Sequence, residues 1–331
     1  MDKITAMDRI ASTREGFIAG LMDVAPDDPK ICLVFADSLK AARATPFVEK
    51  FPKRWFDVGI CEQNAVCFAA GLASTGLKPF FNTYAGFITL RACEQVRSFV
   101  AYPHLNVKFI GLNGGIYGGE REGVTHMVFE DFSILRAIAG MEIVVPADAG
   151  QARKATRALA QREGPAYMRL GSGREPVIFD DSMGFEFGQA RVLREYGSDA
   201  AIFAIGPILK RAILAAEALA TEGIKTTLVE VHTLKPLDVT TISEVLRRTR
   251  AAVTLEDHNI HGGLGSAVAE VIAEREPARL IRLGLQDVFA ESGEAELLFD
   301  HFQMGTTHVI EAVRQVIARK RTRQLNKGAI T

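Results

Sequence analysis

The chain has almost no net charge. Its 331 residues carry 39 Lys and Arg against 40 Asp and Glu, a formal charge of −1. Without a basic surplus there is no reason to expect a nucleic-acid or membrane-surface partner. No apolar run approaches the roughly 18–20 residues of a membrane span. The opening Met1-Asp-Lys-Ile-Thr-Ala-Met-Asp-Arg-Ile10 lacks the apolar core of a signal peptide. Only four cysteines occur, Cys32, Cys61, Cys67 and Cys93, and none forms a Cys-x-x-Cys pair. Scattered through apolar segments, they read as reduced, buried thiols of a cytoplasmic protein. His232, His258 and His261 have no metal-ligand spacing. Internal repeats and low-complexity tracts are missing too.

What remains is a globular composition, 48% hydrophobic and 24% charged, long enough for two ordinary domains. Apolar runs at 31–36, 55–58, 79–84, 107–112, 142–145 and 166–170 read as strands. Helical patterns fall between them at 62–74, 90–101, 133–139 and 150–162. Strands this continuously apolar imply a parallel sheet covered on both faces. The pattern breaks around 175–198. A second set follows, with strands at 200–205, 227–231, 252–255 and 280–283 and helices at 208–221, 242–248, 266–276 and 308–318. The expected fold is α/β: two consecutive domains with mostly parallel sheets, at 1–182 and 190–320. A basic tail at 321–331, led by Arg319 and Lys320, is expected to fray.

The most informative segment is Asp57-Val-Gly-Ile-Cys-Glu-Gln-Asn-Ala-Val66. It runs from a strand through a short turn into a helix that is apolar on nearly every side, and such a helix is expected to be buried. Glu62 sits in its first turn. An acid there favours the helix dipole by roughly 0.3–1 kcal/mol, which is reason enough for many helices to carry one. A carboxylate at the mouth of a buried element is also placed to meet a ligand in a low-dielectric site.

This segment, with Phe68-Ala-Ala-Gly-Leu72 and Lys78-Pro-Phe80, resembles the pyrimidine-binding domain of transketolases and of deoxyxylulose-phosphate synthase. The second half adds Val231-His-Thr-Leu-Lys-Pro-Leu-Asp238, Glu256-Asp-His-Asn-Ile-His-Gly-Gly-Leu-Gly-Ser266 and Glu291-Ser-Gly293, which resemble the transketolase C-terminal domain. The resemblance implies that thiamine diphosphate is the cofactor and that Glu62 bonds the 1′ nitrogen of its aminopyrimidine. It also implies transfer of a two-carbon ketol unit from a ketose to an aldose.

Further residues follow from the same resemblance. Tyr84 and Phe87 keep the spacing of two aromatics that flank the aminopyrimidine; ordinary core packing is the other reading. Asn113-Gly-Gly-Ile-Tyr-Gly-Gly-Glu-Arg-Glu-Gly-Val-Thr-His126 looks like the family loop ending in Gly-x-Thr-His. His126 then contacts substrate hydroxyls, whereas a lone loop histidine would otherwise say little. Asp37 matches an aspartate near the cofactor, or caps a helix. Arg14 matches a phosphate-binding arginine. The loop also departs from the family. Glu122 stands where an aspartate recognises a sugar hydroxyl, and the loop is about one residue longer. A substrate-gripping histidine falls at Leu112 or Asn113, and an arginine falls near Ser172. Arg169 and Arg174 lie close by, out of register, as candidate substitutes, with Arg174 the one expected to bind substrate. Gly262-Gly-Leu-Gly-Ser266 is a weak phosphate turn, read as structural because it lacks a P-loop lysine.

The diphosphate-binding signature, Gly-Asp-Gly, does not occur. No carboxylate–amide set is placed to hold the Mg2+ that a diphosphate needs. The chain is therefore expected to supply half of a split transketolase. A separate N-terminal subunit would carry the diphosphate site, in an assembly of two plus two copies built around a two-fold axis. The alternatives are the β subunit of a 2-oxoacid dehydrogenase, a deoxyxylulose-phosphate-synthase-like enzyme and a non-catalytic regulatory subunit.

Overall fold

The computed structural model describes residues 3–119 and 122–328. The chain divides into two compact units. One comprises residues 3–187 with Ala290–Gly293, the other Gly188–Phe289 with the chain from Glu294 onward.

Six parallel strands form the sheet of the first unit: β1 (Ile31–Phe35), β2 (Trp55–Asp57), β3 (Lys78–Tyr84), β4 (Lys108–Leu112), β5 (Glu142–Val144) and β6 (Ala166–Arg169). They lie in the order β5-β6-β4-β3-β1-β2. β1 and β4 are buried at every residue, as continuous apolar strands in a covered sheet must be. Helix α1 (Thr13–Val24) packs directly on α3 (Ala149–Ala160); α2 (Glu62–Ser74) and shorter helical segments come between them in the sequence. A Cβ at Gly16 would fall 2.1 Å from the Ala149 carbonyl oxygen, so this crossing admits no side chain. Helix α1 falls outside the sequence expectation, yet Ser12-Thr-Arg-Glu15 is a capping-box pattern, and Ser12 Oγ accepts from the Glu15 N–H at 3.3 Å. Asp148 caps α3 through the Gln151 N–H at 2.8 Å, and its other oxygen takes the N–H groups of Ile178 and Phe179.

Two expectations for this unit need correction. Helix α2 is buried only on the face of Glu62, Ala65, Val66, Ala69 and Ala70, while Cys67 and Phe68 are half-buried. The expected helix at 90–101 is helical but irregular. Its backbone opens into a π-turn at Phe87–Arg91, tightens at Cys93–Gln95 and opens again at Val96–Ala101. Leu90, Phe99 and Tyr102 are exposed on this segment.

The second unit holds a five-stranded sheet: β7 (Arg191–Glu195), β8 (Ala200–Ile205), β9 (Thr226–Glu230), β10 (Ala251–Asn259) and β11 (Arg279–Leu285). The order is β11-β10-β8-β9-β7, parallel except for β7, which is antiparallel to β9. Helices α4 (Leu209–Thr221), α5 (Val239–Thr249), α6 (Leu264–Glu274) and α7 (Thr306–Gly328) complete it. The basic tail is the last part of α7 as far as Gly328. Arg, Lys and Gln are good helix formers, so this composition extends the helix where fraying was expected. The glycine turn at 262–266 is filled by protein. The buried Glu256 carboxylate accepts from the Leu264 and Gly265 N–H groups at 2.7 and 2.8 Å, where an anion would otherwise bind the head of α6.

His232 is buried in this unit, and burial pushes its pKa down to about 4, with Arg191 adding to the shift. The unfolded chain takes up the proton near pH 6.5; the folded chain resists until about pH 4. The stability this group protects is complete above pH 6.5 and is lost as pH falls between those values, by about 3 kcal/mol at most. His232→Gln is therefore expected to flatten the acid side of the stability curve. Equal slopes for both proteins in urea unfolding between pH 4.5 and 6.5 would refute this.

Candidate active site

Apart from Arg14, on α1, the candidate residues follow the carboxyl ends of neighbouring parallel strands, where open α/β sheets bind ligands. β2 leads to Glu62, β1 to Asp37, β3 to Phe87, β4 to the glycine-rich loop and β6 to Arg174. Strand order thus gathers residues distant in sequence along one rim.

Glu62 is the first residue of α2 and is 2% exposed. Its Oε1 accepts from Arg91 Nη1 at 2.7 Å. The Arg91 guanidinium lies over the Phe87 ring, 4.0 Å from its centroid. Phe87 meets Tyr84 edge-on at 5.4 Å, and both rings contact His126, at 5.5 and 4.6 Å. The structure thereby joins Glu62, Phe87, Tyr84 and His126 through one chain of contacts. His126 Nδ1 lies 2.9 Å from Thr125 Oγ1, and its N–H donates to the Gly123 carbonyl. The Thr-His ending therefore also fixes the ring.

Asp37 is exposed and left-handed, at φ 55°. Its N–H donates to Asp57 Oδ1, which also accepts from the Gly59 N–H. One carboxylate ties together the turns after β1 and β2, next to Glu62. Asp37 caps no helix. Glu122 is exposed in the glycine-rich loop, close enough for its charge to act on Arg14. Glu120 and Arg121 of that loop lie outside the described residues.

Arg14 is turned into the protein, 8% exposed. Its Nε donates to the Gly171 carbonyl at 2.7 Å and Nη1 to the Ala41 carbonyl at 2.8 Å, while Nη2 donates to Asn113 Oδ1. Burial pushes its pKa down, and the Glu175 carboxylate opposes the shift. Arg14 therefore ties three loops together, and each of its three nitrogens faces a protein acceptor. Arg174 is exposed at the same mouth. Arg169, its neighbour on β6, is 5% exposed and ion-paired with the buried Asp131 at 3.2 Å.

Three contributors escape the sequence reading. Arg91 has no motif of its own; it lies in the π-turn that also carries Phe87. Glu175 is fully buried and accepts from the N–H groups of Thr13, Gly173 and Arg174. Ser292 lies against the glycine-rich loop, its Oγ 2.6 Å from where a Cβ of Gly123 would stand. Gly123 has φ +73°, so glycine is doubly required there.

These residues fit an aminopyrimidine in one specific respect. Glu62 and Phe87 together already receive a flat nitrogen donor, the guanidinium of Arg91. Metal binding is different. Among the described residues no group of three or more His, Cys, Asp or Glu could hold a metal ion. No helix among them is long and apolar enough to cross a membrane.

Comparison with known proteins gives the family of the chain. Residues 10–174 match the family model for the transketolase pyrimidine binding domain, and residues 188–309 the model for the transketolase C-terminal domain. The chain is 39% identical over 312 residues to the 6-deoxy-6-sulfo-D-fructose transketolase subunit SqwH of Clostridium sp. (strain MSTE9), covering 94% of this chain and 96% of that protein. It is 36% identical over 323 residues to the 1-deoxy-D-xylulose-5-phosphate synthase of Desulforudis audaxviator (strain MP104C), of which it covers 50%. A solved split-gene transketolase, an inactive β4 tetramer, superposes with a TM-score of 0.85 at 37% identity, over 94% of this chain and 99% of that one. The two domain matches and these relatives place the chain in the transketolase family, a thiamine-diphosphate-dependent family, as a subunit of the split kind.

Proposed function

We propose that this chain is the pyrimidine-binding half of a split transketolase that moves a two-carbon ketol unit from a ketose to an aldose. The buried Glu62 carboxylate beside the Phe87 face supports this reading most directly. Thiamine diphosphate supplies the carbanion chemistry when bound. Glu62 would hydrogen-bond the pyrimidine nitrogen through a shared proton. Phe87, backed by Tyr84, provides the flat wall. Asp37 and Asp57 keep the neighbouring turns in place.

His126 and Glu122 face substrate hydroxyls in this reading. The anionic end of the sugar belongs to Arg174. Arg14 acts on it only indirectly, by holding Asn113 and the Gly171 turn. The sulfonated ketose named for the Clostridium relative also ends in an anion. Mg2+ and the diphosphate fall to a separate N-terminal subunit carrying Gly-Asp-Gly. Two copies of each chain form the assembly. The half-exposed outer face of α2 and the exposed Leu90, Phe99 and Tyr102 suit burial between copies.

The test is a ketol-transfer assay on this chain alone, then mixed with such a subunit, thiamine diphosphate and Mg2+. Phosphorylated and sulfonated ketose donors would be supplied. Acceptors longer by a two-carbon unit, formed only in the mixture, are the expected result. Pyruvate with glyceraldehyde 3-phosphate, the pair that tests the synthase alternative, would be supplied as well. Turnover of that pair, with no transfer from any ketose, would move the chain to the synthase reading.

A further inference from the structure

The guanidinium of Arg91 occupies both groups that an aminopyrimidine would use here, the Glu62 carboxylate and the Phe87 face. It is planar, it donates to Glu62 Oε1 at 2.7 Å, and it lies 4.0 Å from the centroid of Phe87. A carboxylate that is 2% exposed has room for few donors, and one face of a ring takes one flat partner. We propose that Arg91 competes with the cofactor's aminopyrimidine for Glu62 and Phe87, so that this side chain sets the affinity of the assembled enzyme for thiamine diphosphate. The inference rests on the role proposed for Glu62.

The backbone explains how one arginine reaches both groups. In the π-turn Phe87–Arg91 the Ala92 N–H donates to the Phe87 carbonyl, five residues back. Residues four apart share a face of a helical turn, so Arg91 lies over the ring of Phe87. π-turns of this kind occur often at functional sites. The stand-in is also able to leave. Glu62 is buried, but the Arg91 side chain is 46% exposed, so the guanidinium can swing into water without desolvating elsewhere. While it stays, it neutralises a buried carboxylate that would otherwise lack a countercharge. Without cofactor the contact protects the site; with cofactor it must be displaced.

The experiment is a calorimetric titration of thiamine diphosphate, with Mg2+ at saturation, into this chain assembled with its diphosphate-binding subunit. Wild type, Arg91→Ala and Arg91→Lys would be compared. Removing a half-exposed ion pair and a cation–π contact should tighten binding roughly tenfold in Arg91→Ala. Arg91→Lys, which keeps the charge but loses the flat fork, should fall between. Circular dichroism of each unliganded assembly checks that the fold is retained. An unchanged or weaker affinity in a folded Arg91→Ala assembly would overturn competition and leave Glu62 its proposed role. Failure of every protein, wild type included, to bind the cofactor would overturn the role of Glu62 as well.

Discussion

Glu62→Gln is expected to lower kcat of the assembled enzyme by about a thousandfold, in the range lost when a positioned proton-transfer group is removed. The substitution keeps the length of the side chain and an oxygen able to accept from Arg91, and it removes only the negative charge. A carboxyl able to share a proton is the property the proposed chemistry needs at the pyrimidine nitrogen, and an amide cannot replace it. The fold should survive, because Gln has nearly the helix propensity of Glu, and losing the first-turn acid costs roughly 0.3–1 kcal/mol. Circular dichroism and assembly with the partner should therefore match wild type. A well-folded variant saturated with cofactor that keeps near-normal turnover would remove Glu62 from the mechanism. A non-catalytic subunit predicts that outcome, since its partner's activity would not depend on this carboxylate.

The fold was largely legible in the sequence because burial on both faces leaves continuous apolar runs. β1, β3, β4 and β8 have such runs and stand where the composition places them. β7 was not legible. Arg191, Arg194 and Glu195 leave only two apolar residues on a short edge strand that needs only one paired side. Helix α1 left a signal in Ser12-Thr-Arg-Glu15, but that signal is local and the segment was read for Arg14 alone. At the site, Glu62, Phe87, Tyr84 and His126 could be named from the family resemblance, and the strand order then brings them together. What Arg14 and Arg91 do could not be read the same way. Whether an arginine points outward or inward depends on which carbonyls and rings the surrounding loops present. Those loops come from residues 41, 113 and 171 for Arg14, and from residues 62 and 87 for Arg91. The carboxylates of Glu175 and Glu256 were hidden for the same reason: each binds backbone N–H groups, which no sequence pattern displays.

Asp131→Ala is expected to have the largest effect on stability, a loss of about 3–5 kcal/mol from the first unit. Asp131 is fully buried, and its Oδ2 accepts from the Tyr167 hydroxyl at 2.7 Å and lies 3.2 Å from Arg169 Nε. Burial pushes the Asp131 pKa up, and the Arg169 charge holds against it. Removing the carboxylate strands a cation that packs on Phe132 at 4.5 Å and has 5% exposure to water. Asp131→Asn keeps an acceptor for Tyr167 without the charge and should lose less. Replacing both partners, as in Asp131→Leu with Arg169→Met, should recover most of the loss, because a buried pair contributes little beyond the cost of burying its charges. The lone tryptophan, Trp55, lies in β2, so its fluorescence in urea reports on this unit. A loss below about 1 kcal/mol in Asp131→Ala would show that Arg169 finds another partner or reaches solvent. The cluster also bears on the site. Arg169 Nη2 donates to the Val128 carbonyl at 2.8 Å, and that carbonyl accepts from the Gly115 N–H, closing the loop that carries His126 two residues earlier. Asp131→Ala assayed where it is still folded should therefore raise KM for the sugar while leaving cofactor affinity unchanged, because Glu62 and Phe87 are held by other elements.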